Sequence, residues 1–213
     1  MSSKRSILLV EGRDDREVVY QFCNHHSIDN RSLFDVMDKE GIDNLLDDLR
    51  VRIRSGIEVI GVLIDADTDL PARWHQIKEI LSSHGYSLPS EPSKDGVIVS
   101  PTQIGRPVVG IWLMPDNQTS GILEDFLMRL AQEGDPLVER ANQAVHSIPE
   151  EEKLFVDAKR SKAVIHTWLA WQPEPGTSLG LAITRSYLDP SRTPAPEFRQ
   201  WLEDLFVRES ASD

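Results

Sequence analysis

The sequence predicts an α/β fold with a mostly parallel, Rossmann-like sheet flanked by helices. Three observations predict it. Short apolar runs alternate with stretches of helical periodicity. The clearest run, Ile57–Ile64, is apolar almost throughout, as in a strand covered on both faces. Several runs break abruptly at acidic residues. Strands alternating with helices pair in parallel through right-handed crossovers. Residues 1–133 are read as this core. Residues 134–213, where Pro149, Pro173, Pro175 and Pro190 break up helical segments, are read as a helical elaboration packed on it.

Taken in order, residues 5–10 form a buried strand, and Arg13 to Asn24 a helix with Val18, Val19, Phe22 and Cys23 along one face. Leu33 to Met37 is a second strand. Ile42, Leu45, Leu46, Leu49 and Ile53 recur at helical spacing, and Gly56 ends that helix. Ile57–Ile64 stops at Asp65, and Pro71 to Ser83 is the next helix. Residues 85–106 carry Pro89, Pro92, Pro101, Gly85, Gly96 and Gly105, a long loop with room for a short strand at Val97–Val99. Val108 to Met114 is a further buried strand. Ile122, Leu123, Phe126, Leu127 and Leu130 mark a helix after it. In the elaboration, a helix is expected over Ala163–Gln172. Pro194 and Pro196 open the last helix, whose stripe is Phe198, Trp201, Leu202, Leu205 and Phe206. Trp112, Trp168, Trp171 and Trp201 are expected to dock the helical part onto the sheet.

The 213 residues, 39% hydrophobic and 27% charged, suffice for a sizeable core in a soluble chain. No apolar run approaches the roughly 18 residues of a membrane span. The four apolar residues after Met1–Arg5 and Ser6 are too few for a signal-peptide core. Cys23 is the only cysteine, so no internal disulfide forms and a reducing, cytoplasmic setting is expected. The net charge of −12 argues against a tight electrostatic grip on nucleic acid by the chain alone. Divalent cations or a partner protein would have to offset the repulsion.

Ligands of open α/β sheets bind outside the carboxyl ends of the strands. Here three strand ends carry acids. Glu11-Gly12-Arg13-Asp14-Asp15 follows the first, Asp65-Ala66-Asp67-Thr68-Asp69 the central one, and Asp116 with Glu124 and Asp125 the later one. Converging carboxylates repel one another, which a hard cation such as Mg²⁺ or Mn²⁺ relieves. Taken singly, each group also fits a plainer role: a turn and helix cap for the Asp-x-Asp, and complements to a helix N-terminus for Asp14, Asp15 and Glu17.

Ile7-Leu8-Leu9-Val10-Glu11-Gly12-Arg13-Asp14-Asp15 resembles the first Toprim motif, and Val62-Leu63-Ile64-Asp65-Ala66-Asp67 the second. The Toprim superfamily includes topoisomerases, bacterial primases, recombination-repair proteins, small ribonucleases and the overcoming-lysogenization-defect nucleases. Asp15-Arg16 after Glu11-Gly12 is most similar to the last group. Pro115-Asp116-Asn117, Gly121–Asp125 and Trp168-Leu169-Ala170-Trp171 are similar to a small standalone Toprim-related family of uncharacterised function. The resemblance implies Mg²⁺- or Mn²⁺-dependent phosphodiester hydrolysis. Glu11 is then an acid/base or metal-organising carboxylate. Asp65 and Asp67 hold the ion, with Asp15, Asp69, Asp116 and Glu124 as further candidate ligands. Lys159 and Lys162 are candidates for the late catalytic lysine; a solvated basic turn is the plainer account of both.

No Gly-x-x-x-x-Gly-Lys-Ser/Thr segment, no zinc-spaced cysteines and no supported tyrosine nucleophile occur. An ATPase is therefore expected, if anywhere, on a partner chain. A binding or regulatory module without turnover is the alternative function. A phospho-accepting receiver wants paired acids directly after its first strand, where Glu11-Gly12 stands. A phosphatase of the haloacid-dehalogenase type favours Thr or Val where Asp69 stands. The charge balance gives a direct expectation: fluorescence anisotropy at physiological salt, without divalent ions, detects little binding of DNA or RNA. Submicromolar affinity under those conditions contradicts it.

Overall fold

The computed structural model describes residues 6–207; the basic flank Met1–Arg5 and residues 208–213 lie outside them. The described chain folds into five strands: β1 (Ser6–Val10), β2 (Asp35–Asp38), β3 (Val59–Asp65), β4 (Val97–Val99) and β5 (Val108–Met114). The sheet order is β2-β1-β3-β5-β4, parallel except for the edge strand β4, which runs antiparallel to β5. The α/β class expected from the sequence is thus the class observed. From β1 the chain moves outward to β2, then returns to place β3 on the other side of β1. The topological switch point therefore lies between β1 and β3, where sheets of this kind open a crevice.

The period-2 geometry of the strands divides the core in two. Leu8, Val10, Leu63, Trp112 and Met114 face one side of the sheet. There they meet α1 (Arg13–His25), α5 (Leu123–Arg129) and the later helices α7 (Arg160–Ala170), α8 (Leu179–Thr184) and α9 (Ala195–Phe206). Ile7, Leu9, Ile60, Val62, Ile64, Ile111 and Leu113 face the other side, against α3 (Ile42–Arg52) and α4 (Leu70–Ser83). The four-residue α2 (Asn30–Leu33) precedes β2, and α6 (Pro136–His146) packs against α7. Residues on both sides of position 133 share the first core. Among the described residues, no helix is long and apolar enough to cross a membrane.

Several expected bounds differ: the central strand, expected at Ile57–Ile64, spans Val59–Asp65, and the helix expected to end at Gly56 ends at Arg52. The strand placed at Leu33–Met37 begins only at Asp35, because Asn30–Leu33 closes a helical turn through the Phe34 N–H to the Asn30 carbonyl. The helix expected at Ala163–Gln172 begins at Arg160, straight after the 3-10 turn Asp157–Lys159, and so carries Lys162 in its first turn. Cys23 is a packing residue: it is fully buried, and burial pushes its thiol up to about 12. Trp112, Trp168 and Trp201 are buried, whereas Trp171 is 42% exposed.

The last helix comes unusually close to the sheet. Gly61 and Gly110 are register partners on β3 and β5, and together they leave a notch in its middle. A Cβ on Gly110 would lie 2.4 Å from Leu205 Cδ2, and one on Gly61 would lie 2.9 Å from Phe206 Cζ. Gly96 does the same for Trp201, whose Cδ1 would be 2.4 Å from an added Cβ. Phe198 and Trp201 then pack on Trp112, with ring centroids 5.2 and 5.9 Å away. Overfilling a packed core typically costs about 1–3 kcal/mol. Gly110→Val should lose stability in that range by urea unfolding. Combined with Leu205→Ala, it should lose less than the sum of the two single changes, because the smaller side chain vacates the notch. Additive losses would place the contact elsewhere.

Candidate metal centre

Glu11 is the first residue past β1, and Asp65 the last of β3. Register pairs Val10 with Leu63, so Glu11 and Asp65 come together at the switch point. The Asp65 N–H donates to Glu11 Oε1 at 2.9 Å, and Asp65 Oδ1 accepts from the Leu123 N–H at 2.9 Å. Gly12 caps α1, and its N–H donates to Asp15 Oδ2 at 3.0 Å, which fixes Asp15 in the first turn. The start of α5 supplies Glu124, only 3% exposed. From α7, Lys162 Nζ lies 3.1 Å from Glu124 Oε1 and 3.8 Å from Asp14 Oδ2. Four carboxylates, on Glu11, Asp15, Asp65 and Glu124, thus share one region at the carboxyl end of the sheet with a single ammonium against Glu124.

The electrostatics follow from that crowding. Burial, and then the charges of Asp15, Glu11 and Glu124, raise Asp65 well above the carboxylate range, against the bond from the Leu123 N–H. Burial and then Glu11 push Asp15 up to about 7, with a further contribution from Glu124. Glu11 is raised by burial, opposed by the Asp65 N–H and by Arg73. Burial works to deprotonate Lys162, but Glu124 outweighs it and holds the ammonium in place.

One oxygen in the cluster has no partner. Asp15 is 8% exposed, and its Oδ1 is buried without a hydrogen bond. A buried acceptor left unpaired is costly, and more so beside other carboxylates. A hard divalent cation among these oxygens answers both defects. Mg²⁺ commonly needs only one or two carboxylates and keeps its waters. Among the described residues, no group of three or more histidine, cysteine or acidic side chains is placed, as it stands, to hold a metal ion. In chemistry alone, carboxylate oxygens are donors of the kind that Mg²⁺ or Mn²⁺ takes alongside its waters.

Of the residues expected from the sequence, Glu11, Asp15, Asp65, Glu124 and Lys162 come together. The others do not, for local reasons. Asp67 has a left-handed φ of 52°, and its carboxylate pairs with Arg73. Asp69 caps α4, accepting from the Ala72 N–H at 2.9 Å. Asp116 closes a turn with the Gln118 and Thr119 N–H groups at 3.0 and 2.8 Å and pairs with Arg129. Burial alone would raise Asp116, but these bonds hold it below the usual range. Lys159 ends the 3-10 turn and is exposed, whereas Lys162, three residues on, is the lysine that reaches the acids. Sequence reasoning missed Arg73 and the N–H donors of Gly12, Asp65 and Leu123. Backbone donors leave no trace in residue type. Arg73 was signalled only by its place one helical turn after the Asp69 cap.

Residues 5–207 match the family described as Protein of unknown function (DUF3226). The chain belongs to that family. Neither a search of curated proteins nor one of solved structures returned a match.

The raised Asp15 has a consequence for stability in a metal-free protein. Its folded pKa of about 7 exceeds the unfolded value near 3.8, so the folded state binds the proton more tightly. The stability this contributes is complete below about pH 4 and is lost as pH rises through about 7. In EDTA, the melting temperature of Asp15→Asn relative to the parent should therefore climb between those limits. A difference that stays flat, or falls, means that Asp15 is not held in this way.

Proposed function

We propose that the chain hydrolyses phosphodiester bonds of nucleic acid, using Mg²⁺ or Mn²⁺ held among Glu11, Asp15, Asp65 and Glu124 in a Toprim-like manner. The observation that carries this reading is the convergence of four carboxylates at the switch point, one of them with a buried, unpartnered oxygen. Such an arrangement destabilises the fold, and a cation that also engages phosphate gives it a use.

A bound divalent ion supplies an activated water and stabilises charge on the leaving oxygen. The residues of the chain do the rest. Glu11 Oε1 is occupied by the Asp65 N–H, so Oε2 is the oxygen available to take the proton of the attacking water. Burial raises its proton affinity, which strengthens it as a proton acceptor. Lys162, protonated beside Glu124, provides a cationic donor for a phosphate oxygen. A groove of about 780 Å³ opens between α4, the loop before β4 and the loop after β5, lined by Leu70, Pro71, Trp74, Lys78, Pro92 and Gln118. The Leu70 N–H at its rim donates to Ser120 Oγ, close in sequence to Asp67. None of Glu11, Asp15, Asp65, Glu124 and Lys162 lines the groove, so the reading does not depend on it.

The net charge of −12 favours a second reading, in which the same centre binds a phosphorylated or nucleic-acid ligand without turnover and serves a protein partner such as an ATPase. One experiment separates the two. Purified protein is incubated with single- and double-stranded DNA and RNA, with Mg²⁺ or Mn²⁺, beside Glu11→Gln. Hydrolysis is expected from the parent and should fall by roughly 10²–10⁴-fold in Glu11→Gln, with unchanged folding by thermal melt. Metal binding with no cleavage of any substrate supports the binding module instead. A fully active Glu11→Gln protein removes Glu11 from the chemistry.

A further inference from the structure

The second acid of the Asp-x-Asp pair stands apart from the first. Asp65, Asp15, Glu11 and Glu124 act on one another, whereas Asp67 acts on Glu11 from the rim. The Asp67 side chain is about half exposed, and its Oδ2 is bound by Arg73 Nη2. Arg73 itself is largely covered, at 13% side-chain exposure. Its Nη1 donates to Gln76 Oε1 at 3.0 Å, and its Nε is buried without an acceptor. The charges of the guanidinium and of Asp67 both reach Glu11, so the pair stands near the cluster. Backbone geometry adds to the separation: Asp67 takes its left-handed φ where an isolated bridge joins it to Gly121.

We propose that Arg73 is a positioning residue that withholds Asp67 from the metal centre, so that the cation affinity of the site is set by competition between the guanidinium and the divalent ion for one carboxylate. The proposal rests on the metal reading above. Asp67 lies two residues from Asp65, and a side-chain rotation is a small change for a half-exposed residue. The Asp67 half of the pair is open to water, which screens the attraction and leaves that carboxylate accessible to a divalent ion. Arg73, once released, presents a fork of donors beside the cluster, the geometry that suits a phosphate oxygen. The withheld ligand would make the empty centre bind its ion weakly and tighten when an anionic substrate occupies Arg73.

Removing a positive charge near any acidic site tightens cation binding, so the test must separate that general effect from release of Asp67. Mn²⁺ is titrated calorimetrically into the metal-free, full-length parent, Arg73→Gln, Asp67→Asn and the double variant, with Asp65→Asn as the reference for a lost ligand. Arg73→Lys keeps the charge but loses the fork and serves if Arg73→Gln fails to fold, judged by thermal melts. Changes that reach metal ligands through a neighbour typically alter affinity 10–100-fold. Arg73→Gln should tighten Mn²⁺ by about tenfold in the parent and leave it nearly unchanged in Asp67→Asn. Arg73→Lys should give a smaller gain with the same dependence on Asp67. Asp67→Asn alone should weaken binding far less than Asp65→Asn. An equal gain with and without Asp67 reduces Arg73 to a bulk charge and overturns the proposal. Weaker binding in Arg73→Gln overturns it too, since Arg73 then supports the ligand set. If the parent binds no Mn²⁺, the metal reading itself fails and this proposal falls with it. Binding that is lost in Asp65→Asn but unaffected by Arg73→Gln defeats the proposal alone.

Discussion

Much of this molecule is organised around the hydrogen bond from the Asp65 N–H to Glu11 Oε1. Two carboxyl-bearing residues at the ends of adjacent parallel strands ordinarily drift apart toward water. Here the backbone donor of one captures the side chain of the other, while the captor's own carboxylate is held by Leu123 from α5. The ends of β1, β3 and β5's following helix are thereby locked together by residues far apart in sequence. Everything else at the carboxyl edge is arranged about that lock: Asp15 is fixed by Gly12 on one side, and Glu124 is anchored by Lys162 on the other.

Such an arrangement works against folding. Desolvation and mutual repulsion oppose ionisation of Glu11, Asp15 and Asp65, and single N–H bonds offset only part of that. The fold tolerates it because the strands beneath are covered on both faces by packed apolar layers, which hold the strand ends in place. Strain of this kind, concentrated at the switch point of the sheet, is what the proposed metal site would relieve.

The sheet and its order of elements were legible because buried parallel strands are apolar throughout and stop sharply; Val108–Met114 and Val97–Val99 appear just where their residue types place them. The start of β2 was not, because the Asn30–Leu33 turn is made by a backbone bond that those side chains do not announce. In the site, Glu11, Asp15, Asp65 and Glu124 were visible as acids following strands. Asp69 and Asp116 were visible in the same way, yet each is consumed by a local turn or cap. Spacing alone cannot separate the two outcomes, since an aspartate past a strand meets the same free N–H groups whether or not a crevice lies nearby. Lys162 was one of two basic candidates, and the choice between it and Lys159 turned on where α7 starts. The notch at Gly61 and Gly110 had no sequence signal beyond two glycines in otherwise β-branched company.

That notch bears on how the chain reaches its native state. The middle of the sheet, over β3 and β5, is sealed by Leu205 and Phe206, contributed by the last described helix. A ribosome emitting this chain releases all five strands well before it releases their cover. Contacts between residues 61 or 110 and residue 205 join parts of the chain far apart in sequence, and such long loops close late. Until α9 arrives, the face holding Trp112, Leu63 and the glycine furrow is open, apolar and sticky to other nascent chains. The centre at the switch point inherits this timetable: its scaffold is fully covered only when α9 docks on the middle of the same strands.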